Sequence, residues 1–241
     1  MTESNGRYSR QAALLGEEGQ RKLSSARVLV LGAGGLGSPL LYYLAAAGVG
    51  FLKVVDSDRV SESNLNRQIL YTEADLGCLK AERAAERVRA LNGTVRVTSV
   101  AARFTEENGS AMVAESDLVA LALDNRETRL LANRLCVAHC KPLVDGGIDG
   151  WSGYVTAVVP GETPCLACWF EDKRPGGHVP VSLGPMAGTV GSMEAMAAVE
   201  RLLGQPGPAG KLLFFNGTEW TLSPLRAGRR PDCPVCGNNG E

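Results

Sequence analysis

The stretch RVLVLGAGGLGSPLLYYLAAAGVGFLKVVDSD, residues 27–58, decides the fold of the chain. An apolar run typical of a buried strand leads into the glycine turn Gly32-x-Gly34-x-x-Gly37, and a segment of helical composition follows. A second apolar strand ends at Asp56. This order is the dinucleotide-binding fingerprint, in which backbone amides face a phosphate and the later acid meets a ribose hydroxyl. The stretch predicts a nucleotide site, but it leaves open NAD(P), FAD, ATP and a purely structural turn.

The residues after Asp56 favour a triphosphate over a nicotinamide. Asn64, Arg67 and Lys80 stand where a dehydrogenase would continue into another plain strand and helix. An amide donor, a planar guanidinium and a point charge together suit the phosphates of ATP. Asp124 follows a further apolar run, and strand ends line the ligand crevice of a doubly wound sheet, so this acid is expected there as a Mg²⁺ ligand. On the alternative interpretation, the two cations are surface charges at helix starts.

Further motifs extend over nearly the whole chain. They are RYSRQ at 7–11, GAGGLGS at 32–38, DSDRVSESNLNRQ at 56–68, GCLKA at 77–81, LDN at 123–125, and two CxxC pairs. In this order they resemble the MoeB/ThiF/HesA family of ubiquitin-activating-type adenylyltransferases, and the pattern is closest to the MoeB-like members that act on molybdopterin synthase.

The resemblance implies an α/β fold and a reaction. The fold is a Rossmann-like, doubly wound, mostly parallel sheet that is extended by antiparallel strands. The reaction is ATP-dependent adenylation of the C-terminal glycine of a small ubiquitin-like β-grasp sulfur carrier of the MoaD or ThiS type, whose tail ends in Gly-Gly. Pyrophosphate leaves, and the acyl-adenylate is later converted to a thiocarboxylate. The chain ends without space for a C-terminal rhodanese-like domain, so we expect a separate sulfur donor.

The resemblance also assigns roles to matching residues. The implied catalytic residues are Arg10, Arg67, Lys80 and Asp124, with Asp124 also the Mg²⁺ ligand. The implied nucleotide-binding residues are Gly32, Gly34, Gly35, Gly37, Asp56, Asp58, Asn64, Arg67, Gln68, Lys80, Asp124 and Asn125. Arg10 matches an arginine that the family supplies from the other protomer, which implies a homodimer.

Seven cysteines divide into two groups. Cys165, Cys168, Cys233 and Cys236 form the two CxxC pairs, whose thiolates can complete the closed tetrahedral shell of structural zinc. A redox CxxC is the alternative, but it would stand at a helix start in a thioredoxin-like unit. Of the remaining cysteines, Cys78 is interpreted as a small residue at a helix start, and Cys136 and Cys140 as core residues.

The organisation is expected to be a single adenylyltransferase domain over residues 1–241. It comprises an N-terminal helical arm (1–25), a nucleotide-binding half (26–150) and a carrier-binding and zinc portion (151–241). The segment 171–185 is rich in glycine and proline and predicts a mobile loop over the carrier tail. Family members commonly carry a cysteine in this loop, and here it has none, so a covalent step on the loop is not expected. His178 and Ser182 are its candidate polar groups.

Local patterns give further expectations. Leu14, Leu15 and Leu23 form the apolar stripe of the arm, and a charged amphipathic helix covers 76–92. Gly146-Gly147 is interpreted as a turn, and 153–161 as an outer antiparallel strand. A helix at 186–203 presents Met193, Met196, Val199 and Leu202 on one side, and a hairpin surrounds Asn216-Gly217.

Composition excludes several classes of partner. The net charge is −1 with 44% hydrophobic residues, and no basic excess indicates nucleic acid or an anionic membrane. No apolar segment suits export or a membrane span, so we expect a cytoplasmic protein.

Three other functions remain open. An adenylating relative could act on another carboxylate, such as a peptide C-terminus or a modified tRNA base, although the missing basic excess disfavours tRNA. An NAD(P)-dependent oxidoreductase would need a proton donor, and His139 and His178 are the only histidines. A catalytically silent carrier-binding scaffold is disfavoured because all the expected ATP-site residues are present.

Overall fold

The computed structural model describes residues 6–170 and 181–237. The strands are β1 (Arg27–Leu31), β2 (Phe51–Val55), β3 (Arg96–Val100), β4 (Leu118–Leu121), β5 (Leu143–Asp149), β6 (Ser152–Val158), β7 (Lys211–Asn216) and β8 (Thr221–Arg226). The helices are α1 (Ser9–Ser25), α2 (Gly37–Ala47), α3 (Lys80–Leu91), α4 (Glu106–Ala114), α5 (Arg126–Ala138), α6 (Leu166–Trp169) and α7 (Gly184–Leu202).

The strands form one sheet in the order β3-β2-β1-β4-β5-β6-β7-β8. The first five strands in this order run parallel, and β6, β7 and β8 continue the sheet antiparallel. The predicted fold class, a doubly wound sheet with an antiparallel extension, is confirmed. From β1 the chain moves outward to β3 and then returns to the other side of β1 as β4. This reversal opens a crevice at the carboxyl ends of β1 and β4, where such sheets bind ligands.

The helices cover both faces of the sheet. Val28 and Val30 pack into the core beneath α2, α3 and α7, whereas Leu29 and Leu31 face the core beneath α4, α5 and α6. All four side chains are buried. A strand buried on both faces is apolar throughout rather than alternating, which explains the unbroken run in β1.

The N-terminal arm differs from its prediction. Its helix α1 is kinked at Gly16, where φ is 68°. Leu23 is buried, but Leu14 is 85% exposed, so the expected continuous apolar stripe is wrong. The kink breaks the helical register between the two leucines. Instead, the arm is attached through Tyr8, whose hydroxyl accepts a hydrogen bond of 2.7 Å from the side-chain amide of Asn92.

The interpretation of Gly146-Gly147 as a turn is wrong. Both glycines lie inside β5, and the chain turns at Gly150, where φ is 58°. A Cβ at Gly146 would lie 2.5 Å from the Glu194 carboxyl carbon, and one at Gly147 would lie 2.4 Å from the Tyr154 ring. These glycines are therefore needed for close side-chain approach. The following strand, β6, is also not an outer strand, because it pairs with β5 and β7.

Three expectations about helices need correction. The helix α3 begins at Lys80 and not at 76, because Gly77 turns the chain with φ 80°. Met196 on α7 is 60% exposed and does not belong to the buried side of that helix. Cys136 is buried as expected, whereas Cys140 is exposed beyond the end of α5 with φ 52°.

Two other segments complete the fold. The expected hairpin is confirmed, with β7 and β8 joined by a turn in which Asn216 Oδ1 accepts from the amide of Thr218 at 3.1 Å. Most of the predicted mobile loop, including His178, lies outside the described residues; Ser182 is described and α7 already begins at Gly184. No helix in the described ranges is long and apolar enough to cross a membrane.

Candidate active site

The glycine turn between β1 and α2 is packed without space for side chains at two positions. Gly32 has φ 96°, and a Cβ there would lie 2.3 Å from the carbonyl oxygen of Ala122. A Cβ at Gly37 would lie 2.3 Å from the carbonyl oxygen of Gly32. The start of α2 carries no side-chain cap, and the amide of Ser38 donates to the carbonyl of Gly34 at 2.9 Å. No side chain of the described residues therefore occupies the helix N-terminus. This geometry suits an anionic phosphate at the helix N-terminus.

Asp56 spans the glycine turn from the end of β2. Its Oδ2 accepts a hydrogen bond of 2.8 Å from the amide of Ala33, and its Oδ1 accepts one of 2.8 Å from the amide of Asp58. Burial raises the pKa of Asp56, and these two amides partly oppose that rise. Each carboxylate oxygen keeps a second lone pair. The side chain is thus fixed beside the turn and can still accept hydrogen bonds from a ribose.

Lys80 is nearly buried at the start of α3. Its ammonium lies 3.0 Å from an Asp58 carboxylate oxygen, and its amide donates to the carbonyl of Asp58 at 2.9 Å. The hydroxyl of Tyr71 donates to the carbonyl of Ala33 at 2.7 Å and lies 3.2 Å from the carbonyl of Lys80. One buried phenol therefore connects the glycine turn to the helix that carries the lysine. Sequence reasoning did not identify Tyr71.

Arg67 and Gln68 lie directly against the glycine turn. A Cβ at Gly35 would lie 3.4 Å from the Cγ of Arg67, and one at Gly34 would lie 3.5 Å from the Nε2 of Gln68. The Arg67 guanidinium donates to the carbonyl of Ser63 at 2.9 Å. The structure thus brings both predicted residues to the turn.

Asn64 holds the segment that carries Arg67. It ends a short 3₁₀ turn, and its side-chain oxygen accepts a hydrogen bond of 3.3 Å from the amide of Ser61. Its backbone carbonyl accepts from the amides of Arg67 at 3.1 Å and Gln68 at 2.9 Å. The side-chain NH₂ of Asn64 remains the group that can donate to a phosphate.

Asp124 lies just beyond the carboxyl end of β4, the strand that pairs with β1. The preceding Ala122 donates its amide to the carbonyl of Leu31 at 2.8 Å, which holds the segment beside the glycine turn. Within residues 6–170 and 181–237, the exposed Asp124 carboxylate has no hydrogen bond or ion pair. The neighbouring Asn125 side chain caps α5 by accepting from the amide of Thr128 at 2.9 Å. Asp124 is therefore available as a ligand, whereas Asn125 supports the helix start.

Arg10 is not brought into this group within one chain. It lies exposed in the first turn of α1, and the hydrogen bonds and ion pairs of the described residues do not connect it to the glycine turn. A single chain thus supplies the crevice without this predicted cation.

The two CxxC pairs meet on the face of the sheet opposite α2. The four sulfur atoms are buried and all lie within 4.8 Å of one another, so they could hold a metal ion; the residues are Cys165, Cys168, Cys233 and Cys236. The Sγ atoms of Cys165 and Cys233 are 3.7 Å apart, and those of Cys168 and Cys236 are 3.4 Å apart. Tetrahedral zinc with bonds of about 2.3 Å would separate its sulfur ligands by about 3.8 Å. The convergence of all four thiols does not fit a redox CxxC that acts alone.

The environment of the cysteines favours thiolate ligands. Burial opposes ionisation of Cys233, but the backbone amides of Cys236 and Val235 and the neighbouring thiols lower its pKa to about 7. Asn133, which sequence reasoning did not single out, is fully buried on α5, and its side-chain oxygen accepts from the amide of Leu166 at 2.9 Å. It therefore holds α6, which follows Cys165 and contains Cys168, onto the core.

A buried polar cluster lies near the crevice and was missed by sequence reasoning. We call it the Arg129 cluster; its members are Arg129 on α5, Asp145 on β5, Tyr154 on β6 and Glu194 on α7. Arg129 forms an ion pair with Asp145, and the Tyr154 hydroxyl donates to the other oxygen of Asp145 at 3.0 Å. The available signal was a single acid inside an otherwise apolar run, as in PLVDGG and SMEAMAAV. Such a pattern marks a buried polar group that needs a partner.

The fold and crevice define a nucleotide-binding α/β protein with acids and cations around a glycine turn. The model of the ThiF family matches residues 8–235, and the chain belongs to that family. This confirms the family resemblance inferred from the sequence motifs.

Two relatives match nearly the whole chain. The chain is 45% identical to the SAMP-activating enzyme E1 of Haloferax volcanii, over 97% of this chain and 89% of the relative. It is 44% identical to the sulfur carrier protein adenylyltransferase of Thermus thermophilus, over 96% of this chain and 90% of the relative. Among solved structures, that of Escherichia coli MccB with ATP is similar with a TM-score of 0.86 and 25% identity, covering 98% of this chain and 75% of MccB.

Proposed function

We propose that this protein is an ATP-dependent adenylyltransferase that activates the C-terminal glycine of a small ubiquitin-like sulfur carrier. The observation that carries the proposal is that Asp56 and Arg67 contact the glycine turn, while Lys80 pairs with the adjacent Asp58. Asp124 follows closely on Ala122, whose carbonyl lies against Gly32 of that turn. Relatives that match along nearly their whole length are named for carrier activation and adenylyl transfer. The product is an acyl-adenylate, and pyrophosphate is released.

Some of these residues bind the nucleotide, and others stabilise the charge that develops during the reaction. Asp56 accepts hydrogen bonds from the ribose, and the start of α2 with Asn64 and Gln68 faces the phosphates. The carrier carboxylate attacks the α-phosphorus in line, and negative charge gathers on the phosphate oxygens as pyrophosphate leaves. Arg67 and Lys80 stabilise that charge. No protein nucleophile is needed, since positioning and electrostatics lower the barrier.

Two metal ions are part of the proposal. The free carboxylate of Asp124 fits Mg²⁺, which is usually bound by one or two carboxylates together with phosphate oxygens. Such an ion would neutralise charge on the triphosphate. The four clustered cysteines would hold Zn²⁺ in a closed shell, which makes that ion structural rather than catalytic.

The partners follow from the reaction. The carrier is a β-grasp protein whose flexible Gly-Gly tail reaches the crevice, and a separate protein donates sulfur to the acyl-adenylate. The enzyme is a cytoplasmic homodimer in which Arg10 of one protomer completes the site of the other. The exposed position of Arg10 on the arm supports this arrangement, because among the described residues no hydrogen bond or ion pair joins it to its own crevice.

An oxidoreductase is the weaker alternative. His139 lies at the end of α5 opposite the crevice, where its Nε2 is 2.8 Å from the hydroxyl of Ser110. It cannot serve as a proton donor beside a nicotinamide at the glycine turn.

Intact-mass analysis tests the proposed reaction. The protein is incubated with ATP, Mg²⁺ and purified β-grasp carriers that end in Gly-Gly, and in parallel with an unstructured peptide that has a free C-terminus. We expect a carrier adduct of the mass of AMP, which Asp124→Ala abolishes and Glu127→Ala, an exposed acid on the same segment, leaves intact. Adenylation of the peptide but not of any carrier would favour the peptide alternative. Adduct formation that survives Asp124→Ala would remove Asp124 from the mechanism.

A further inference from the structure

The Arg129 cluster lies directly beside the segment that presents Asp124. Arg129 is only 8% exposed, although it belongs to the first turns of α5. One guanidinium nitrogen contacts Asp145 and donates to the carbonyl of Gly146 at 2.9 Å and to the Tyr154 hydroxyl at 3.0 Å. All of these contacts point away from solvent and into the sheet.

The second guanidinium nitrogen makes a different contact. It donates to the backbone carbonyl of Leu123 at 2.6 Å, and Leu123 immediately precedes Asp124. On the other side of the same segment, the carbonyl of Ala122 lies against Gly32 of the glycine turn. The backbone that carries Asp124 is thus held between the nucleotide turn and Arg129.

Burying the charged groups of the Arg129 cluster costs desolvation free energy, which is hard to explain if the cluster only stabilises the fold. Replacing a buried ion pair with apolar residues of similar volume is often neutral or stabilising, so burial of Arg129 and Asp145 is weak support for a purely structural role. Glu194 adds a second buried acid, and the Gly146 backbone approaches it without a well-aligned hydrogen bond. A rigid guanidinium that joins two strands to one loop carbonyl is instead suited to fixing a position.

We propose that Arg129, oriented by Asp145 and Tyr154, is a positioning residue that holds Asp124 in place for a divalent cation bound to the nucleotide. This inference rests on the proposed function, because it assigns the geometry of the same site. Arg129 touches neither nucleotide nor metal in this proposal. It acts only through the Leu123 carbonyl.

The test compares nucleotide affinity with and without Mg²⁺, by calorimetry with a non-hydrolysable ATP analogue. Buffers are depleted of Mg²⁺ by gel filtration rather than by a chelator, which would also attack the four-cysteine cluster. Arg129→Lys keeps the charge beside Asp145, but a single ammonium cannot span both Asp145 and the Leu123 carbonyl. Arg134→Lys is the matched control, because Arg134 lies exposed on the same helix in an ion pair with Glu106.

We expect Mg²⁺ to tighten binding in the wild-type protein and in Arg134→Lys. Arg129→Lys should lose about tenfold of that enhancement, the size of one weakened charge-assisted contact, while its affinity without Mg²⁺ stays within about twofold. If Arg129→Lys does not fold, the double variant Arg129→Met/Asp145→Leu removes both charges together and is measured in its place. Tyr154→Phe should give a smaller loss in the same direction.

Two results would overturn the inference and leave the proposed function standing. One is an unchanged Mg²⁺ enhancement in folded Arg129→Lys while Asp124→Ala abolishes it. The other is an equal loss of affinity with and without Mg²⁺, which indicates a general structural effect. Absence of ATP binding by the wild-type protein under both conditions would instead overturn the proposed function itself.

Discussion

The Lys80 ammonium and the Asp58 carboxylate are 3.0 Å apart, but they differ sharply in exposure. The Lys80 side chain is 7% exposed, whereas 67% of the Asp58 side chain is open to solvent. An ion pair with one exposed partner contributes little stability, of the order of 1 kcal/mol or less. Asp58 can therefore hold the lysine in position before the nucleotide arrives and release it to a phosphate without a large cost.

This relationship predicts unequal effects of substitution at the two positions. Lys80→Met should weaken ATP binding by about 10-fold to 100-fold, the range for loss of one hydrogen bond to a charged group. Asp58→Asn should change the affinity by less than about threefold, since the exposed pair is weak. Calorimetric titration measures both. Lys53→Met, which removes a lysine paired with Glu115, is the control and should bind ATP normally. Normal binding by Lys80→Met would contradict the phosphate role.

Removal of a metal ion bound by the four cysteines should destabilise the whole fold. The cysteine cluster joins the C-terminal tail to α6 on the core, and structural zinc contributes free energy to folding itself. Cys236→Ser, or treatment with a chelator, should lower the melting temperature by about 10 °C or more, which corresponds to several kcal/mol for a chain of this size.

The melting temperature is measured together with the metal content by elemental mass spectrometry. We expect one zinc per chain in the wild-type protein and in Cys140→Ser, which alters an exposed cysteine outside the cluster. A metal-free protein with an unchanged melting temperature would contradict a structural zinc site.

The nucleotide site could be predicted because its geometry is encoded locally. Gly32 is required by its positive φ of 96° and Gly37 by its contact with the Gly32 carbonyl, so their spacing carries the structure. The CxxC pairs likewise predict their cluster, since the ligand type and spacing nearly determine the chemistry. In both cases the informative residues stand close together in sequence.

The errors arose where a local signal has a long-range cause. Gly146 resembles a turn residue, but it makes room for Glu194 from a distant helix. Leu14 is an exception with a local cause, because it fits a helical stripe but the kink at nearby Gly16 turns it to solvent. The contact of Arg129 with the Leu123 carbonyl was equally hidden, because no sequence spacing shows which carbonyl an arginine reaches.

Glu194 should make the stability depend on pH. Burial, together with the nearby Asp145, raises the pKa of Glu194 well above its usual value, and Arg129 and the Gly146 backbone only partly oppose this. Tyr154 also faces the group. Because the folded-state pKa lies above the unfolded value, the folded state holds an extra proton between the two. The stability contribution of Glu194 is complete below the unfolded pKa near 4.5 and is lost as pH rises toward the folded-state pKa.

Glu194→Gln isolates this effect, since glutamine has a similar shape and does not ionise. Its stability relative to the wild-type protein should rise with pH above the unfolded pKa near 4.5, by at most about 1.4 kcal/mol for each pH unit. Urea unfolding at a series of pH values gives the difference. Glu200→Gln, on the same helix but only partly buried, is the control and should show a flatter difference. Parallel pH profiles for the wild-type protein and Glu194→Gln would show that Glu194 titrates normally.

Complementation between two inactive variants should reveal a shared site. Arg10 and Leu14 are exposed one helical turn apart on the arm, before the kink, and form a surface that a second protomer can cover. In a symmetric dimer, a mixed pair of Arg10→Ala and Asp124→Ala subunits contains one site with both wild-type residues. Equal mixing should restore about a quarter of the wild-type sites, because about half of the dimers are mixed and each has one good site.

Adenylation is measured after native mass spectrometry has shown subunit exchange. Arg21→Ala, which alters another exposed arginine on α1, is the control and should stay active. Proven mixed dimers without activity would place Arg10 in its own protomer's site, whereas full activity of Arg10→Ala alone would place Arg10 outside the reaction.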